Sequence, residues 1–358
     1  MVSRDPVADL RRIAFLLERA NEATYRVKAF RSAAATIAAL APDELTERAA
    51  AGTLSKLAGV GEVTARTVAE SLAGEVPAYL RRLETTDGTD LHGAAKTLRE
   101  ALRGDCHLHS DWSDGGSPIE EMALAAVDLG HEYIVLTDHS PRLTVARGLP
   151  AARLRRQLDY VAKLNEALPE GFRILTGIEV DILEDGSLDQ EEALLERLDV
   201  VVGSVHSKLR DESSRMTRRM LAAIANPHLD ILGHMTGRKI SAARSGVATE
   251  GDRAHRRGMT RPPSDFDLDK VLSAVVEHGK AVEINARPDR LDPPKRMLTA
   301  ALEAGCLFSI DTDAHAPGQL DWLGFACERA ALCGVPPERV VNTWPVDRLL
   351  GWTDTRKH

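Results

Sequence analysis

The chain has 358 residues, 43% of them hydrophobic, and a formal net charge of −8, which is the composition of a globular protein with a sizeable core. No run of apolar residues is long enough to cross a bilayer, and Met1–Leu10 carries Arg4, Asp5 and Asp9 where a secretory signal would be apolar. We therefore expect a cytoplasmic protein with no membrane partner. The acidic balance argues against indiscriminate binding to nucleic acid.

The spacing of the cysteines and the distribution of charge along the chain narrow the class of protein further. The four cysteines show no C-x-x-C pair and no dense spacing, so neither a zinc ribbon nor a disulfide framework is indicated. Residues 1–103 hold 15 basic and 14 acidic side chains, whereas residues 104–358 hold 31 basic and 40 acidic side chains. A near-neutral first part beside an acidic second part predicts two domains with different roles.

The first part of the chain is predicted to be helical. Apolar residues recur there at intervals of three and four, the spacing that places them on one face of a helix. They are Leu10, Ile13, Ala14 and Leu17, followed by Val27, Phe30, Ala34 and Ile37. The later segment Leu54–Val68 contains Gly59-Val60-Gly61 at the start of a helix. Such a turn leaves backbone N–H groups at a helix N-terminus, where a phosphate can sit.

This turn resembles the helix-hairpin-helix motif, and the preceding Tyr25–Arg31 is similar to the helical N-terminal domain of family X DNA polymerases. The resemblance implies that Gly59, Val60 and Gly61 contact a DNA backbone without reading its sequence. A plain helix-loop-helix with a glycine hinge is the alternative. Thr67 stands where the eukaryotic relatives that excise 5′-deoxyribose phosphate carry a Schiff-base lysine. The resemblance therefore does not imply that lyase activity here.

The second part alternates β-rich runs with amphipathic helical patterns. The predicted strands are 104–109, 133–138, 172–180, 199–205, 230–234, 280–285 and 306–311. The predicted helices include 118–129, 150–167, 213–225, 267–278, 319–333 and 336–350. Seven β/α units in one run favour parallel strands closed into a barrel over an open sheet.

The predicted fold class is therefore α/β, a distorted (β/α)7 TIM-like barrel preceded by a small all-α helix-hairpin-helix domain. The polar segment after the helical region has little periodicity, which indicates an interdomain linker. We place the helical domain at residues 1–83, the linker at 84–103 and the barrel domain at 104–358.

Six of the seven predicted strands end in residues that bind metal ions. In a barrel the carboxyl ends of the strands meet at one rim, so these side chains are expected to lie together although they are far apart in sequence. They are His107, His109, Asp114, His139, Glu179, His206, His234, Asp313 and His315. One zinc ion uses about four ligands, so this set implies two or three divalent ions. Nitrogen and oxygen ligands favour Mn, Fe or Zn without choosing among them.

The ordered motifs D-x-H-x-H…S-D-G, T-D-H, G-x-E-V-D, S-V-H, D-I-L-G-H and T-D-A-H resemble the PHP (polymerase and histidinol phosphatase) domain, and most closely the C-terminal PHP domain of bacterial family X DNA polymerases. The resemblance implies catalytic roles for His107, His109, Glu179 and Asp313. It also implies one ion on those four residues, a second on Glu179, His206 and His234, and a third on Asp114, His139 and His315.

Basic residues near the predicted rim are candidates for holding phosphate, since guanidinium and ammonium groups pair with phosphate oxygens. They are Arg142, Arg147, Lys208, Arg238 and Arg290. Arg238 and Arg290 rank first because they fall within family-like stretches. The basic loop Thr236–Asp265 follows the fifth predicted strand and should overhang the same rim. It is interpreted either as an insertion without consequence or as a lid that positions a polyanionic substrate.

Three functions are open on this sequence, with DNA or a phosphorylated small molecule as the partner. The first is a metal-dependent phosphoesterase that hydrolyses DNA phosphodiester bonds with metal-activated water, as a 3′→5′ exonuclease or an abasic-site endonuclease in repair. The second is a small-molecule phosphomonoesterase of the histidinol-phosphatase type, favoured by the acidic body and by the lack of room for a polymerase palm. The third is a non-catalytic DNA-binding accessory protein, which the complete ligand set disfavours. We prefer the first.

Overall fold

The computed structural model describes residues 4–85, 91–240 and 260–355. The chain divides into two compact units, with the boundary between Asp90 and Leu91. The first unit is helical, and the second is built on a sheet of parallel strands. Across the described ranges, no helix has the length and apolar character needed to cross a membrane.

The helical unit has one apolar core, formed by the helix faces predicted from residue spacing. Leu10, Ile13, Phe30 and Ile37 are all buried in it. Asp5 caps the first helix by accepting from Val7 N at 2.8 Å. The helices of this unit are α1 (Pro6–Arg19), α2 (Thr24–Ala38), α3 (Pro42–Ala50), α4 (Glu62–Leu72) and α5 (Ala78–Thr85), and a 3-10 turn lies at Leu54–Lys56.

The Gly59-Val60-Gly61 turn leads into α4. Gly59 has a φ of +78°, which favours glycine, and a Cβ at this position would lie 2.3 Å from Ser32 Oγ on α2, so a side chain here would also displace that hydroxyl group. Val60 is buried in the apolar core. Gly61 is the N-cap of α4, and its N–H donates to Thr64 Oγ1 at 2.9 Å. Packing and capping together therefore fix the shape of the turn.

The second unit contains seven parallel strands that pair in chain order. They are β1 (Gly104–Leu108), β2 (Tyr133–Leu136), β3 (Arg173–Asp181), β4 (Val200–Ser204), β5 (Ile231–Leu232), β6 (Ala281–Asn285) and β7 (Leu307–Asp311). Nearly every strand residue is buried, as expected for a parallel sheet covered by helices. Each strand lies within or close to its predicted range. The predicted TIM-like barrel behind an all-α domain is confirmed.

The end of β7 returns to the end of β1 and nearly closes the barrel. Asp313 N donates to His107 O at 2.9 Å, and His109 N donates to Ala314 O at 2.8 Å. These bonds connect the segment that follows the last strand to the first strand. Two stretches of metal-binding residue types, more than 200 positions apart, therefore become neighbours.

Helices pack against the strands of the barrel. They are α6 (Gly93–Ala101), α7 (Ile119–Asp128), α8 (Ala151–Asn165), α9 (Glu192–Leu195), α10 (Ser213–Ile224), α11 (Leu268–Glu277), α12 (Lys295–Ala304), α13 (Leu323–Leu332) and α14 (Val346–Asp354). The helix α6 falls inside the segment 84–103 that is predicted as a linker. Its Leu98 is buried in the core of the barrel unit, so this part of the segment is structured.

One helix prediction is wrong. The apolar spacing predicts a single helix over 336–350, but the structure has 3-10 turns at Pro337–Arg339 and Val341–Thr343, followed by α14. The cause is Pro345, which has no N–H and disfavours helical backbone at the residue before it. Trp344 accordingly has a ψ of 150°.

Candidate metal centre

Glu179, near the end of β3, is the carboxylate around which the histidines collect. Its Oε1 lies 2.9 Å from His234 Nε2 and 3.3 Å from His206 Nε2. Its Oε2 lies 2.8 Å from His139 Nδ1 and 3.6 Å from His109 Nε2. Burial raises the pKa of this carboxyl group, but the surrounding imidazoles, His206 first, hold the pKa well below its usual range. Glu179 is therefore ionised, and its two oxygens face different sets of rings.

The first strand directs His107 and His109 to the same side, because alternate residues of a strand point the same way. His107 Nε2 lies 3.5 Å from Glu179 Oε1, and its Nδ1 lies 2.6 Å from Glu283 Oε1. Glu283 is a buried residue of β6 and also accepts from the backbone N–H of His234. A carboxylate on the far nitrogen of a histidine fixes the ring and its tautomer, which leaves the near nitrogen for a metal ion.

His109 and Asp313 are held in the protonation states that metal ions bind. His109 Nε2 lies 3.4 Å from Asp313 Oδ1. Burial lowers the pKa of His109 and two neighbouring imidazoles lower it further, so the ring is neutral. Burial raises the pKa of Asp313, but Arg287 and Arg290 outweigh it and hold the pKa well below its usual range. A neutral imidazole and an ionised carboxylate are both competent ligands.

A third group lies at the exposed edge of the cluster. Asp114 Oδ1 is 3.4 Å from His139 Nε2 and 3.3 Å from His315 Nε2. The Asp114 side chain is 37% exposed, whereas that of Glu179 is 0% exposed. His315 Nδ1 lies 2.8 Å from the backbone oxygen of Asp313. Arg287 Nη1 lies 3.2 Å from the same ring nitrogen, and Nε2 is the atom that faces Asp114.

Asp138 holds the loop that carries Asp114. Its buried carboxylate accepts from Ser110 N at 2.8 Å, from Ser110 Oγ at 2.6 Å and from Gln157 Nε2 at 2.6 Å. It also accepts from Ser113 Oγ. These bonds tie the loop after β1 to the end of β2 and to α8. Asp138 therefore positions Asp114, which lies on a different loop.

Several buried polar atoms of the cluster make no hydrogen bond, although charged groups lie within 4 Å of them, and they mark the places that cations fit. Such atoms are costly to bury unless something binds them. Among the described residues they include His107 Nε2, His109 Nε2, His139 Nδ1, both carboxylate oxygens of Glu179 and Asp313 Oδ2. Three sets offer ligand atoms within 4.8 Å of one another, namely His107, His109 and Glu179; His139, Glu179 and His206; and His109, Asp114, His139 and His315. The residues therefore fit divalent metal ions.

The structure brings all nine residues predicted from the strand ends into this cluster. His234 joins through Glu179, and Asp313 joins through His109. Their roles as ligands and in catalysis stay predictions.

The sequence reasoning misses Glu283, Asp181 and Arg287. Glu283 is an acidic residue inside the apolar strand β6, the strand to which no ligand is assigned from sequence. Asp181 accepts from His206 N at 3.2 Å and lies two positions after Glu179. A charged residue within a buried strand is the signal that could have found both. Arg287 lies 3.6 Å from an oxygen of Asp313, and nothing in its local sequence indicates that contact.

The basic residues predicted to hold phosphate lie in different places. Arg290 reaches the cluster, with Nε 3.1 Å from Asp313 Oδ2. Arg238 donates to the backbone oxygens of Arg290 and Leu291, so its guanidinium group holds the turn that carries Arg290. Its predicted contact with phosphate therefore has no support from this geometry.

The remaining candidates belong to exposed loops. Arg142, Arg147 and Lys208 are all exposed, and Arg147 donates to Asp111 O at 3.1 Å. Of the basic loop Thr236–Asp265, residues 241–259 lie outside the described residues, and the lid interpretation stays a prediction.

Comparisons with known proteins agree with this geometry. The model of the PHP domain matches residues 105–287, and that of a helix-hairpin-helix domain matches residues 3–76. The chain is 39% identical over 220 residues to the DNA polymerase/3′-5′ exonuclease PolX of Bacillus subtilis, which covers 62% of this chain and 35% of that protein. The chain therefore spans about a third of the length of this relative.

Two further comparisons concern phosphatases. The chain is 30% identical over 253 residues to a probable phosphatase of Thermoanaerobacter sp., covering 67% of this chain and 89% of that protein. A histidinol phosphate phosphatase of Lactococcus lactis, solved with zinc, L-histidinol and phosphate, covers 65% of this chain with a TM-score of 0.43 and 18% identity. That last likeness is too weak to support a functional inference.

The imidazoles and carboxylates at the strand ends, together with the match to the PHP domain and to a probable phosphatase, identify the class of the protein as a metal-dependent phosphoesterase. The chain belongs to the PHP domain family and carries a helix-hairpin-helix domain at residues 3–76. The resemblance read from the motifs is confirmed.

Proposed function

We propose that this phosphoesterase hydrolyses phosphodiester bonds in DNA, as a 3′→5′ exonuclease or an abasic-site endonuclease. The observation that carries the proposal is the union of a helix-hairpin-helix domain and a PHP domain in one chain. The relative named as a polymerase and 3′-5′ exonuclease supports it, since the match includes 62% of this chain. A DNA-binding module has no evident use in an enzyme for small phosphate esters.

The proposed ligand assignment is the one that the resemblance to the PHP domain implies; it overlaps with the three sets of neighbouring ligand atoms in the cluster without being identical to them. One ion would bind His107, His109, Glu179 and Asp313; a second Glu179, His206 and His234; and a third Asp114, His139 and His315. The ions would be Mn, Zn or Fe, and their number would be two or three. When bound, divalent ions supply Lewis acidity, which activates water for attack on phosphorus and neutralises charge on the leaving oxygen.

The chain's own groups then orient the ligands and the substrate. Glu179, with oxygens facing two sets of histidines, would bridge two sites, and His107, His109 and Asp313 would complete the catalytic set. Glu283 holds the His107 ring through the 2.6 Å contact with Nδ1. Arg290, which is 12% exposed and lies next to Asp313, would bind an oxygen of the phosphate that is hydrolysed.

In the helical unit, the proposed DNA contact is the turn Gly59-Val60-Gly61. Gly61 is exposed, while the buried side chain of Val60 packs into the apolar core and holds the turn in place. Contacts of this kind are made to phosphates, so they are expected to weaken steeply as salt is raised. Binding of labelled DNA to the metal-free protein at 50 and 200 mM salt tests this part of the proposal separately from hydrolysis.

The alternative function is hydrolysis of a small phosphate monoester. It is favoured by the probable phosphatase relative, of which the chain covers 89%. The decisive experiment assays EDTA-treated protein, reloaded with Mn²⁺, on 3′-labelled single-stranded DNA, an abasic duplex and p-nitrophenyl phosphate in parallel.

The matched pair for this assay is His107→Ala and His228→Ala. Both histidines are buried, but His228 lies before β5, at the opposite end of the barrel from the metal centre. We expect DNA hydrolysis that is lost only in His107→Ala. Turnover of the monoester alone, also lost in His107→Ala, would overturn the DNA proposal in favour of the alternative.

A further inference from the structure

Basic side chains continue outward from Asp313 along the turn after β6. Arg290 and Arg287 both face Asp313, with Nε 3.1 Å from Oδ2 and Nη1 3.6 Å from Oδ1 respectively. Arg287 Nε also lies 3.1 Å from Asp289 Oδ1, and Lys239 Nζ lies 3.9 Å from Asp289 Oδ2. The exposed fraction rises in the same order, from 12% for Arg290 and 23% for Arg287 to 33% for Lys239.

The backbone holds Arg261 beside Lys239. The two residues form an isolated antiparallel bridge, in which Lys239 N donates to Arg261 O at 2.8 Å and Arg261 N donates to Lys239 O at 2.9 Å. Ile240 N donates to Asp289 O at 2.7 Å, which ties this bridge to the turn after β6. Two segments that follow different strands thus form one basic surface, which we call the basic shelf and which consists of Lys239, Arg261 and Arg287.

The basic shelf carries more positive charge than its own carboxylates neutralise. Asp289 is the carboxylate that lies between Lys239 and Arg287, and Asp313 is assigned to the candidate metal centre. The nearby Asp292 is buried and accepts from Thr236 Oγ1 at 2.6 Å. The pKa of Lys239 is lowered by burial and, although Asp289 opposes this, also by the neighbouring guanidinium groups. Such crowding of like charge is relieved by an anion.

We propose that the basic shelf binds a second phosphate of the substrate, that of the nucleotide next to the bond being hydrolysed. Arg290, nearest to Asp313, then contacts the phosphate at the metal centre. The inference rests on the proposed function and deepens it, because it names the substrate as a polynucleotide strand rather than an isolated phosphate ester. Neighbouring phosphates of a strand are separated by a nucleoside, which suits the outward order of basic groups from Arg290 through Arg287 to Lys239. A monoester has nothing to place there.

The test compares three dinucleotides with the full chain and Mn²⁺: thymidylyl-thymidine without a terminal phosphate, and the same compound with a 5′ or a 3′ phosphate. Lys239→Gln and Arg261→Gln each remove one charge from the shelf. Arg173→Gln is the matched control, since Arg173 is exposed at the first residue of β3, at the far end of the strands. Arg261 Nε also donates to Gly237 O at 2.6 Å, so Arg261→Gln could unfold at a lower temperature than the wild type. In that case the result for Lys239→Gln decides the test.

We expect the wild type and Arg173→Gln to hydrolyse one of the phosphorylated dinucleotides with a kcat/KM about tenfold above that of the unphosphorylated compound, since one charged hydrogen bond has that effect. The ratio should fall toward one in both shelf variants. Equilibrium dialysis of the same dinucleotides against EDTA-treated protein should show the same loss of discrimination without any turnover.

The outcomes separate the two proposals. If the unphosphorylated dinucleotide is hydrolysed but the wild type shows no preference, or Lys239→Gln keeps it, the second-phosphate site is overturned while the proposed function stands. If only p-nitrophenyl phosphate is hydrolysed, the proposed function fails and the inference fails with it.

Discussion

Replacing Glu283 by glutamine should weaken metal binding, although Glu283 acts through a histidine. One oxygen accepts from His107 Nδ1 at 2.6 Å, and the other accepts from His234 N and from Asn285 Nδ2 at 3.2 Å. Glutamine keeps the shape but turns one acceptor into a donor. If its amide group faces His107, the ring proton moves to Nε2, the atom directed at Glu179. If its amide group faces His234, two N–H groups oppose each other.

Either arrangement removes a charge-assisted hydrogen bond between two side chains that are both 0% exposed. Such a bond contributes about 1.5–3 kcal/mol, which corresponds to a roughly 10–100-fold loss of metal affinity. The assay is calorimetric titration of EDTA-treated protein with Mn²⁺. Ser204→Ala is the matched control, because it removes a buried hydroxyl group with no hydrogen-bond partner in the described part of the chain. An Mn²⁺ affinity in Glu283→Gln equal to that of the control would refute the reasoning.

Three more changes test other parts of the molecule. Asp138→Asn places a donor where four donors converge, so it should free the Asp114 loop and lower the metal content by about one ion; undiminished metal by mass spectrometry would contradict this. Gly59→Ala should lower the free energy of unfolding by ~1 kcal/mol or more, which appears as a lower melting temperature. Gly52→Ala, also at positive φ but with no atom within 4 Å of the added Cβ, should lower it by less. Burial lowers the pKa of His131 to about 3 from 6.5. Since the unfolded state takes up the proton first, stability is present above pH 6.5 and lost as pH falls. Between pH 7 and pH 5, the free energy of unfolding of metal-free His131→Leu should therefore fall by about 2 kcal/mol less than that of the metal-free wild type, as measured by urea unfolding.

The barrel could be predicted because its strands are buried on both faces and separated by amphipathic helices. Gly104–Leu108, for example, lies within the predicted 104–109. The clustering of the nine side chains could be predicted for a related reason, since parallel strands all end at the same rim. His107 and Asp313 are far apart in sequence, yet strand direction alone brings them together. The alternation of strands and helices in the sequence predicts the direction of the strands.

The residues that contact these clustered side chains from other strands could not be predicted in this way. Glu283 is 176 positions from His107, and their contact depends on which way each side chain points across the barrel. Arg238 shows the opposite failure. Its sequence context suggests phosphate, but backbone oxygens of the neighbouring turn take up its guanidinium group. Residue type predicts which bonds a side chain can make, and only the three-dimensional arrangement decides which bonds it does make.

The backbone bridge between Lys239 and Arg261 makes the chain tolerant of changes in length at this point. Its two hydrogen bonds hold Lys239 and Arg261 side by side, so the chain enters and leaves this stretch at a fixed pair of neighbouring residues. Doubling the length of a loop closed between fixed ends costs only about 0.6 kcal/mol in entropy. We therefore expect a change of chain length between Lys239 and Arg261 to leave the strand pairing of β5 and the start of α11 unchanged.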